Sequence, residues 1–326
     1  MPPDAATTGP TGPAGPTGPA GPAGPSRELT EILALVPPDF ADPRADYRAV
    51  RAMMAGFHGH PVPAHVTVTE AQLGGVRCAW YDDTRAPLRR RVLFHCHGGG
   101  LVSCPLDDYH FYGAMLAEQL EARVVMADYR LAPKHPFPAA HEDCLDAYRA
   151  LVVGEAAGSA SVVVSGDSCG GLLGLGTLLR ARDEGLPPAA GFVSISGWFD
   201  LSVAVPAGEG PDPFLTAEWV RNRGREYAGG TVELDDPRVS PVYAELGGLP
   251  PLYLPVGGLD TLRSGVVALA EAAALAGVEV TLEEWPGMVH GWQGLVGAGV
   301  PEAQAWFARA RRYLDDLDGG ARTARR

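Results

Sequence analysis

The sequence predicts an α/β protein: a mostly parallel central sheet with helices on both faces. Three observations carry that expectation. From Arg91 onward, short apolar runs of strand length alternate with longer helix-like stretches, the rhythm of βα units whose crossovers cover a sheet. The chain has 326 residues, 46% of them hydrophobic, with a mean hydropathy of −0.00, enough for one large core. Two glycine clusters, Gly98–Gly100 and Gly166–Gly171, follow strand-like runs closely.

The elements follow in order. Residues 9–25 stand outside the rhythm: Gly9, Gly12, Gly15, Gly18, Gly21 and Gly24 are each followed by proline, a collagen-like period. With so few triplets and no flanking trimerisation signal, the run reads as a disordered, polyproline-II-like tail spanning 1–25. Its removal is expected to leave the oligomeric state unchanged. Leu29, Ile32, Leu33 and Leu35 have helical spacing until Pro37 and Pro38 stop it, and Ala45–Phe57 fits a second helix. His65–Thr69 and Val76–Tyr81 read as a hairpin across Gly74-Gly75. Strands are expected at Arg91–Cys96, Ala122–Ala127, Ser161–Ser165, Gly191–Ser196, Pro251–Val256 and Val278–Glu283. Helices are expected at Ala139–Val153, Ser168–Arg182, Leu262–Ala276 and Pro301–Leu317. The stretch 203–233, with Phe214, Trp219 and Tyr227, breaks the alternation and reads as an inserted helical lid. The folded domain is thus placed at 26–320, with the lid at 203–233 and a second short tail at 321–326.

Composition narrows the function. The net charge is −13 and the pI about 5.1, so phosphate backbones and anionic lipid surfaces are not expected partners. No apolar run reaches membrane-spanning length; Glu271 and Glu279 interrupt the nearest, Val266–Val280. The N-terminus has neither the basic nor the apolar region of a signal peptide. Cys78, Cys96, Cys104, Cys144 and Cys169 are odd in number and show neither disulfide-framework nor zinc spacing. A reduced, cytoplasmic protein is expected.

Two motifs carry the chemistry. Gly166-Asp167-Ser168-Cys169-Gly170 matches G-x-S-x-G between an expected strand and an expected helix. A strand-to-helix turn that sharp leaves no room for side chains beside the serine, and it aims the helix N-terminus at developing negative charge. The second motif, His97-Gly98-Gly99-Gly100, lets backbone amides approach a substrate, and with the Cys169 amide it can receive an oxyanion. The same run could cradle a phosphate, but it lacks the Walker lysine and the dinucleotide spacing. His95 and His97 could bind a metal, but no third ligand lies near them in the sequence.

A nucleophilic serine needs a base, and the base an orienting acid, in the chain order serine, acid, histidine. Asp260 and His290 each lie just past an expected strand and so reach the same sheet edge as Ser168. His290 alone among the nine histidines follows the last strand. Asp167, Asp200 and Glu284 are rival acids; Asp167, adjacent to the nucleophile, is poorly placed to orient a distant imidazole.

These motifs resemble the hormone-sensitive-lipase-like family of α/β-hydrolases, bacterial carboxylesterases with a GDSAG-type elbow. The likeness runs from Val92 to Trp292. It takes in HGGG at 97–100, DYRLAPKHPFPAA at 128–140, GDSCGG at 166–171 and SGWFDLS at 196–202. DPRVSP at 236–241, VGGLD at 256–260 and GMVHGW at 287–292 complete it. The resemblance implies an α/β-hydrolase fold with an N-terminal helical cap at 26–60 completing the lid at 203–233, Ser168, Asp260 and His290 as catalytic triad, and the amides of Gly98, Gly99 and Cys169 as oxyanion hole. It further implies short- to medium-chain ester substrates and a homodimer built on the last strand and helix. Three positions depart from the family pattern: Cys169 replaces alanine, Cys104 glycine and Lys134 glutamate. The last two are expected away from the reacting atoms.

The expected activity is therefore serine-dependent hydrolysis of a small-molecule ester, with no cofactor or metal required. Phe57, His58, Phe214 and Trp219 are candidates for lining the pocket. Two other readings stay open: a biosynthetic enzyme using the triad to deacetylate, lactonise or transfer an acyl group, and a non-catalytic ligand-binding protein. A peptidase would use the same triad, but nothing marks a peptide groove.

Overall fold

The computed structural model describes residues 24–58, 60–86, 91–154, 161–202 and 212–323; the side chains of 56–58 and 320–323 lie outside that description. The Gly-Pro tail up to residue 23, the first part of the expected lid (203–211) and residues 324–326 also fall outside the described residues.

The expected hairpin forms. Strands β1 (Val66–Leu73) and β2 (Val76–Asp83) pair antiparallel from Val66↔Asp83 to Leu73↔Val76. The turn between them is Gly74-Gly75, with φ of 59° and 85°, a left-handed pair that only glycines adopt freely and that matches hairpin twist. The remaining strands are β3 (Arg91–Cys96), β4 (Arg123–Ala127), β5 (Ser161–Asp167), β6 (Gly191–Ile195), β7 (Leu252–Gly257) and β8 (Val280–Trp285). The sheet order is β1-β2-β4-β3-β5-β6-β7-β8. β2 runs antiparallel to β4, and the strands from β4 to β8 are parallel.

Burial follows the two-residue period of a strand. Val92, Phe94, Cys96, Val162 and Val164 face one apolar cluster, with the buried residues of α4 (Ala139–Val153), α5 (Cys169–Asp183) and α7 (Arg263–Leu275). Leu93 and Val163, one residue out of phase, face the other, with α3 (His110–Leu120) and α8 (Pro301–Thr323). Both faces being covered explains why the central strands are continuous apolar runs.

Helix α3 was not anticipated. Its residues are buried almost all round, so it shows no polar stripe, and no side chain caps its start at Tyr109. Helix α8 runs past Leu317 to Thr323. Arg91, only 3% exposed at the start of β3, pairs with Asp315 and Asp318 of that helix.

Over the C-terminal edge of the sheet lie α2 (Tyr47–His58) and α6 (Ala217–Ala228), with α6 capped by Thr216, whose hydroxyl accepts from Trp219 N–H. Asn222 and Arg223 of α6 donate to the carbonyls of Pro43 and Ala45, at 2.8 and 2.9 Å, joining the two parts of the cap. Helix α1 (Arg27–Leu33) instead docks toward α8, where the Ser26 hydroxyl donates to Glu302 at 2.8 Å. No helix among the described residues is long and apolar enough to cross a membrane.

Candidate active site

Strand β5 carries Gly166 and Asp167 to the sheet edge, where Ser168 turns the chain into α5 with φ 51° and ψ −123°. A non-glycine residue held there costs roughly 1–3 kcal/mol, so the surroundings must impose the turn. They do. A Cβ at Gly166 would lie 2.1 Å from the Gly170 carbonyl oxygen, and one at Gly170 would lie 1.9 Å from that of Cys96. The Ser168 N–H donates to the Ile195 carbonyl at 2.9 Å, and the Ser168 carbonyl accepts from Trp198 and Gly171.

The loops after β7 and β8 bring Asp260 and His290 to this serine. His290 Nε2 lies 3.0 Å from Ser168 Oγ, and its Nδ1 lies 3.2 Å from both Asp260 carboxylate oxygens. These partners assign the tautomer: Nδ1–H donates to the carboxylate, leaving Nε2 to accept the serine proton. Asp260 is fully buried, and one of its oxygens also accepts from Leu262 N–H at 2.9 Å. Burial works to lower the His290 pKa. The negative charges of Asp260, Asp212 and Asp167 outweigh it and raise the imidazole above its ordinary value.

The rival acids have other partners. Asp200 accepts from Ser202, and Glu284 pairs with Arg263. Asp167 accepts from His95 at 3.0 Å and from the Tyr109 hydroxyl at 2.8 Å. Burial would raise the Asp167 carboxyl, but these two donors hold it below its usual range. The other ring nitrogen of His95 lies 2.7 Å from Ser165 Oγ, and His97 stacks on Tyr129 with ring centroids 4.1 Å apart. Both histidines thus serve the sheet edge through hydrogen bonds and packing.

In the glycine loop, φ is 108° at Gly99, 63° at Gly100 and 68° at Leu101. The Gly99 carbonyl accepts from Ser103 N–H at 3.0 Å and from Ser103 Oγ at 2.7 Å, which turns the loop back on itself. Gly98 lies against Asp167: a Cβ there would come 2.3 Å from its carboxylate. Cys169 opens α5 directly after Ser168, and its sulfur accepts from Leu101 N–H at 3.1 Å. Burial pushes that thiol up to about 12, so it stays protonated and is no rival nucleophile.

Cys104 corrects an expectation. It does not lie away from the site: its sulfur sits beneath Gly99, 3.0 Å from where a Cβ on that glycine would stand. Its φ of 63° also explains why glycine suits the position. Nothing in the structure explains Lys134.

Gly99, Gly100, Ser168 and His290 open onto a cavity of about 660 Å³, within the range of small-molecule sites. Its walls are largely apolar. Met53 and Met54 come from α2, Phe214, Leu215 and Trp219 from the second cap segment, and Phe111 and Leu295 from below. Phe214 and Trp219 therefore line the pocket as expected; the side chains of Phe57 and His58 lie outside the described residues. Phe40 meets Phe214 edge to face at 5.5 Å, closing one wall between the two cap segments.

One residue at the site had no sequence signal. Asp212, 6% exposed, accepts from His290 N–H at 3.1 Å and from Thr261 N–H at 3.2 Å. Only its place just ahead of the lid helix could have drawn notice. Away from the cavity, Glu70, Asp107 and His110 bring potential metal-ligand atoms within 4.8 Å of one another. Arg77 already pairs with both acids there, at 2.9 and 2.6 Å, and offsets part of their charge.

A parallel sheet with a serine on a strained strand-to-helix turn, bonded to histidine and then to aspartate at one sheet edge, defines an α/β-hydrolase. Residues 93–294 match the alpha/beta hydrolase fold family, and the chain belongs to it, among its hormone-sensitive-lipase-like members. It is similar to an acetyl-hydrolase of Streptomyces hygroscopicus, 36% identical over 73% of this chain and 77% of that protein. It is also similar to the esterase LipI of Mycobacterium tuberculosis, 34% identical over 78% of this chain and 83% of that one. Among solved structures, an esterase of the bacterial hormone-sensitive lipase family superposes with a TM-score of 0.80. It is 32% identical and covers 90% of this chain and 98% of its own.

Proposed function

We propose that the protein is a serine carboxylesterase that hydrolyses short- to medium-chain acyl esters of small molecules through an acyl-enzyme on Ser168. Hydrolysis of carboxylic esters is the activity its esterase and carboxylesterase relatives carry in name. The observation that carries the mechanism is the continuous hydrogen-bond path Ser168–His290–Asp260, which opens onto an apolar cavity.

The chemistry runs in two halves. His290 Nε2 takes the Ser168 proton as Oγ attacks the ester carbonyl. Asp260 holds the imidazole in its productive tautomer and stabilises the imidazolium that forms. The amides of Gly98, Gly99 and Cys169 receive the oxyanion; one such donor is typically worth roughly 3–4 kcal/mol of transition-state stabilisation. The alcohol departs with the proton from His290, leaving the acyl group on Ser168. Water then attacks, giving its proton to His290, and the acid leaves as that proton returns to Ser168.

The cavity favours an uncharged acyl chain. Its lining is dominated by aliphatic and aromatic side chains, with no lysine or arginine among the described residues that form it. A p-nitrophenyl series from acetate to decanoate tests this reading. It expects turnover with an optimum in the short to medium range; no turnover on any member, in folded enzyme, counts against a general esterase.

A second reading is the removal of an acetyl group from one specialised metabolite, favoured by the similarity to the acetyl-hydrolase. It expects an enzyme that hydrolyses none of the simple esters while a fluorophosphonate still labels Ser168.

A further inference from the structure

Asp212 lies in the cap segment leading into α6, yet its carboxylate reaches the two loops that hold the acid and the base. One oxygen, Oδ2, accepts the main-chain N–H of Thr261 at 3.2 Å and that of His290 at 3.1 Å. The other, Oδ1, accepts Phe214 N–H at 2.9 Å, which fixes the carboxylate on its own segment. The same segment makes a second tie, from the Thr261 hydroxyl to the Leu215 carbonyl at 2.8 Å. Thr261 directly follows Asp260, so these bonds grip the chain one residue from the acid and at the base itself.

The direct contact between acid and base is symmetric and long, 3.2 Å to each oxygen, and does not by itself define one ring orientation. Main-chain anchoring of both loops supplies what that contact lacks. A carboxylate is the acceptor suited to it, because bonds to a charged acceptor are shorter and stronger than neutral ones.

The arrangement is costly. Burial first, then the nearby Asp260 charge, pushes the Asp212 carboxyl up to about 6. An acid held at that disadvantage beside another acid is a mark of a functional site.

We propose that Asp212 is a positioning residue, whose single oxygen shared by the amides of Thr261 and His290 keeps the acid loop and the base loop in register. This rests on the reading of Ser168, His290 and Asp260 as the reacting triad. Because Phe214 and Leu215 follow Asp212 and line the cavity, the same carboxylate connects the pocket wall to the catalytic loops.

The test compares full-length wild type with Asp212→Ala, Asp212→Leu and Asp212→Asn on p-nitrophenyl butyrate. Native-state hydrogen exchange of the Thr261 and His290 amides accompanies the kinetics. Alanine and leucine remove the acceptor, the latter while keeping the volume; asparagine keeps one carbonyl oxygen for both amides but turns its NH2 donor toward Phe214 N–H. The expected result is a fall in kcat of about tenfold or more for alanine and leucine, with KM within about threefold. Asparagine recovers part of the loss, since it keeps the shared oxygen but not the acceptor for Phe214 N–H. In wild type both amides exchange slowly, and in the leucine variant they exchange faster.

Unchanged kcat in a folded alanine or leucine variant overturns the proposal. So does a rise in KM with kcat intact. Should the removal variants not fold, wild-type exchange decides: a His290 amide exchanging at open-loop rates is incompatible with the shared bond. Ser168→Ala separates the two levels of inference. If it keeps turnover, the triad reading fails, and the exchange result still decides the tie.

Discussion

Arg51 of the first cap segment donates from Nε to the carbonyl of Val102, 2.6 Å away, just beyond the glycine loop. Its Nη2 also reaches the Ala132 carbonyl at 3.2 Å. Helix α2, which supplies Met53 and Met54 to the pocket wall, is thereby fastened to the floor. Charge-assisted bonds of this kind are worth about 1.5–3 kcal/mol each. Arg51→Met is expected to loosen that wall and raise KM for butyrate and longer esters by about 3- to 10-fold, with kcat within about twofold. Steady-state kinetics across the ester series check it.

The elbow glycines leave no room for a methyl group. At Gly170 the Cβ would stand 1.9 Å from a backbone oxygen of β3, which cannot move without breaking the sheet. Gly170→Ala is expected to destabilise the fold by about 3 kcal/mol or more, read as a fall in the urea midpoint.

The Cys169 thiol tells the opposite story. Burial holds it protonated, and alanine would remove its contacts to the loop backbone, a hydrogen bond accepted from Leu101 N–H at 3.1 Å and a long one to the His97 carbonyl at 4.0 Å. Cys169→Ala is expected to keep kcat within about threefold of wild type, since the proposed mechanism uses only the amide of that residue. A loss of a hundredfold would give the sulfur a chemical role.

In the proposed mechanism His290 must be neutral to accept the Ser168 proton. The carboxylates around it raise its pKa above 6.5, so kcat/KM is expected to fall on acidification with an apparent pKa above that value. The profile should rise through this limb to a plateau on the alkaline side. Measurement of kcat/KM from pH 5 to 9 gives the value directly.

Two other histidines make the fold sensitive to acid. Burial lowers His97 from 6.5 to about 4 and His141 to about 3. Both folded-state values lie below the unfolded one, so the stability from keeping these rings neutral is complete above pH 6.5. It drains as pH falls toward 4 and then 3. Each ring should cost on the order of 3 kcal/mol over its window. Urea midpoints at pH 7.5, 5.5 and 4.5 are expected to fall in that order. His141→Phe should flatten the dependence.

Much of this architecture was legible because it is local. Strand runs, the glycine turn of the first hairpin and the G-x-S-x-G junction each follow from steric rules over a few residues. Chain order then put Asp260 and His290 on the sheet edge that carries Ser168. What stayed hidden is long-range. Helix α3 is buried almost all round and carries no periodic signal. Asp212 accepts from main-chain amides 49 and 78 residues away, which no motif spacing encodes. Cys104 looked remote until its left-handed φ and its place under Gly99 were visible.

The proposed acyl-enzyme requires a uniquely reactive Ser168, and intact-protein mass spectrometry reads that reactivity out. Wild type and Ser168→Ala are mixed with an alkyl fluorophosphonate, which phosphonylates a reactive serine with loss of fluoride, and then digested to locate the adduct. The account expects one adduct per wild-type chain, on the peptide holding Ser168, loss of esterase turnover in step with labelling, and no adduct on Ser168→Ala. An adduct on another residue, or full turnover in a chain labelled at Ser168, would contradict it.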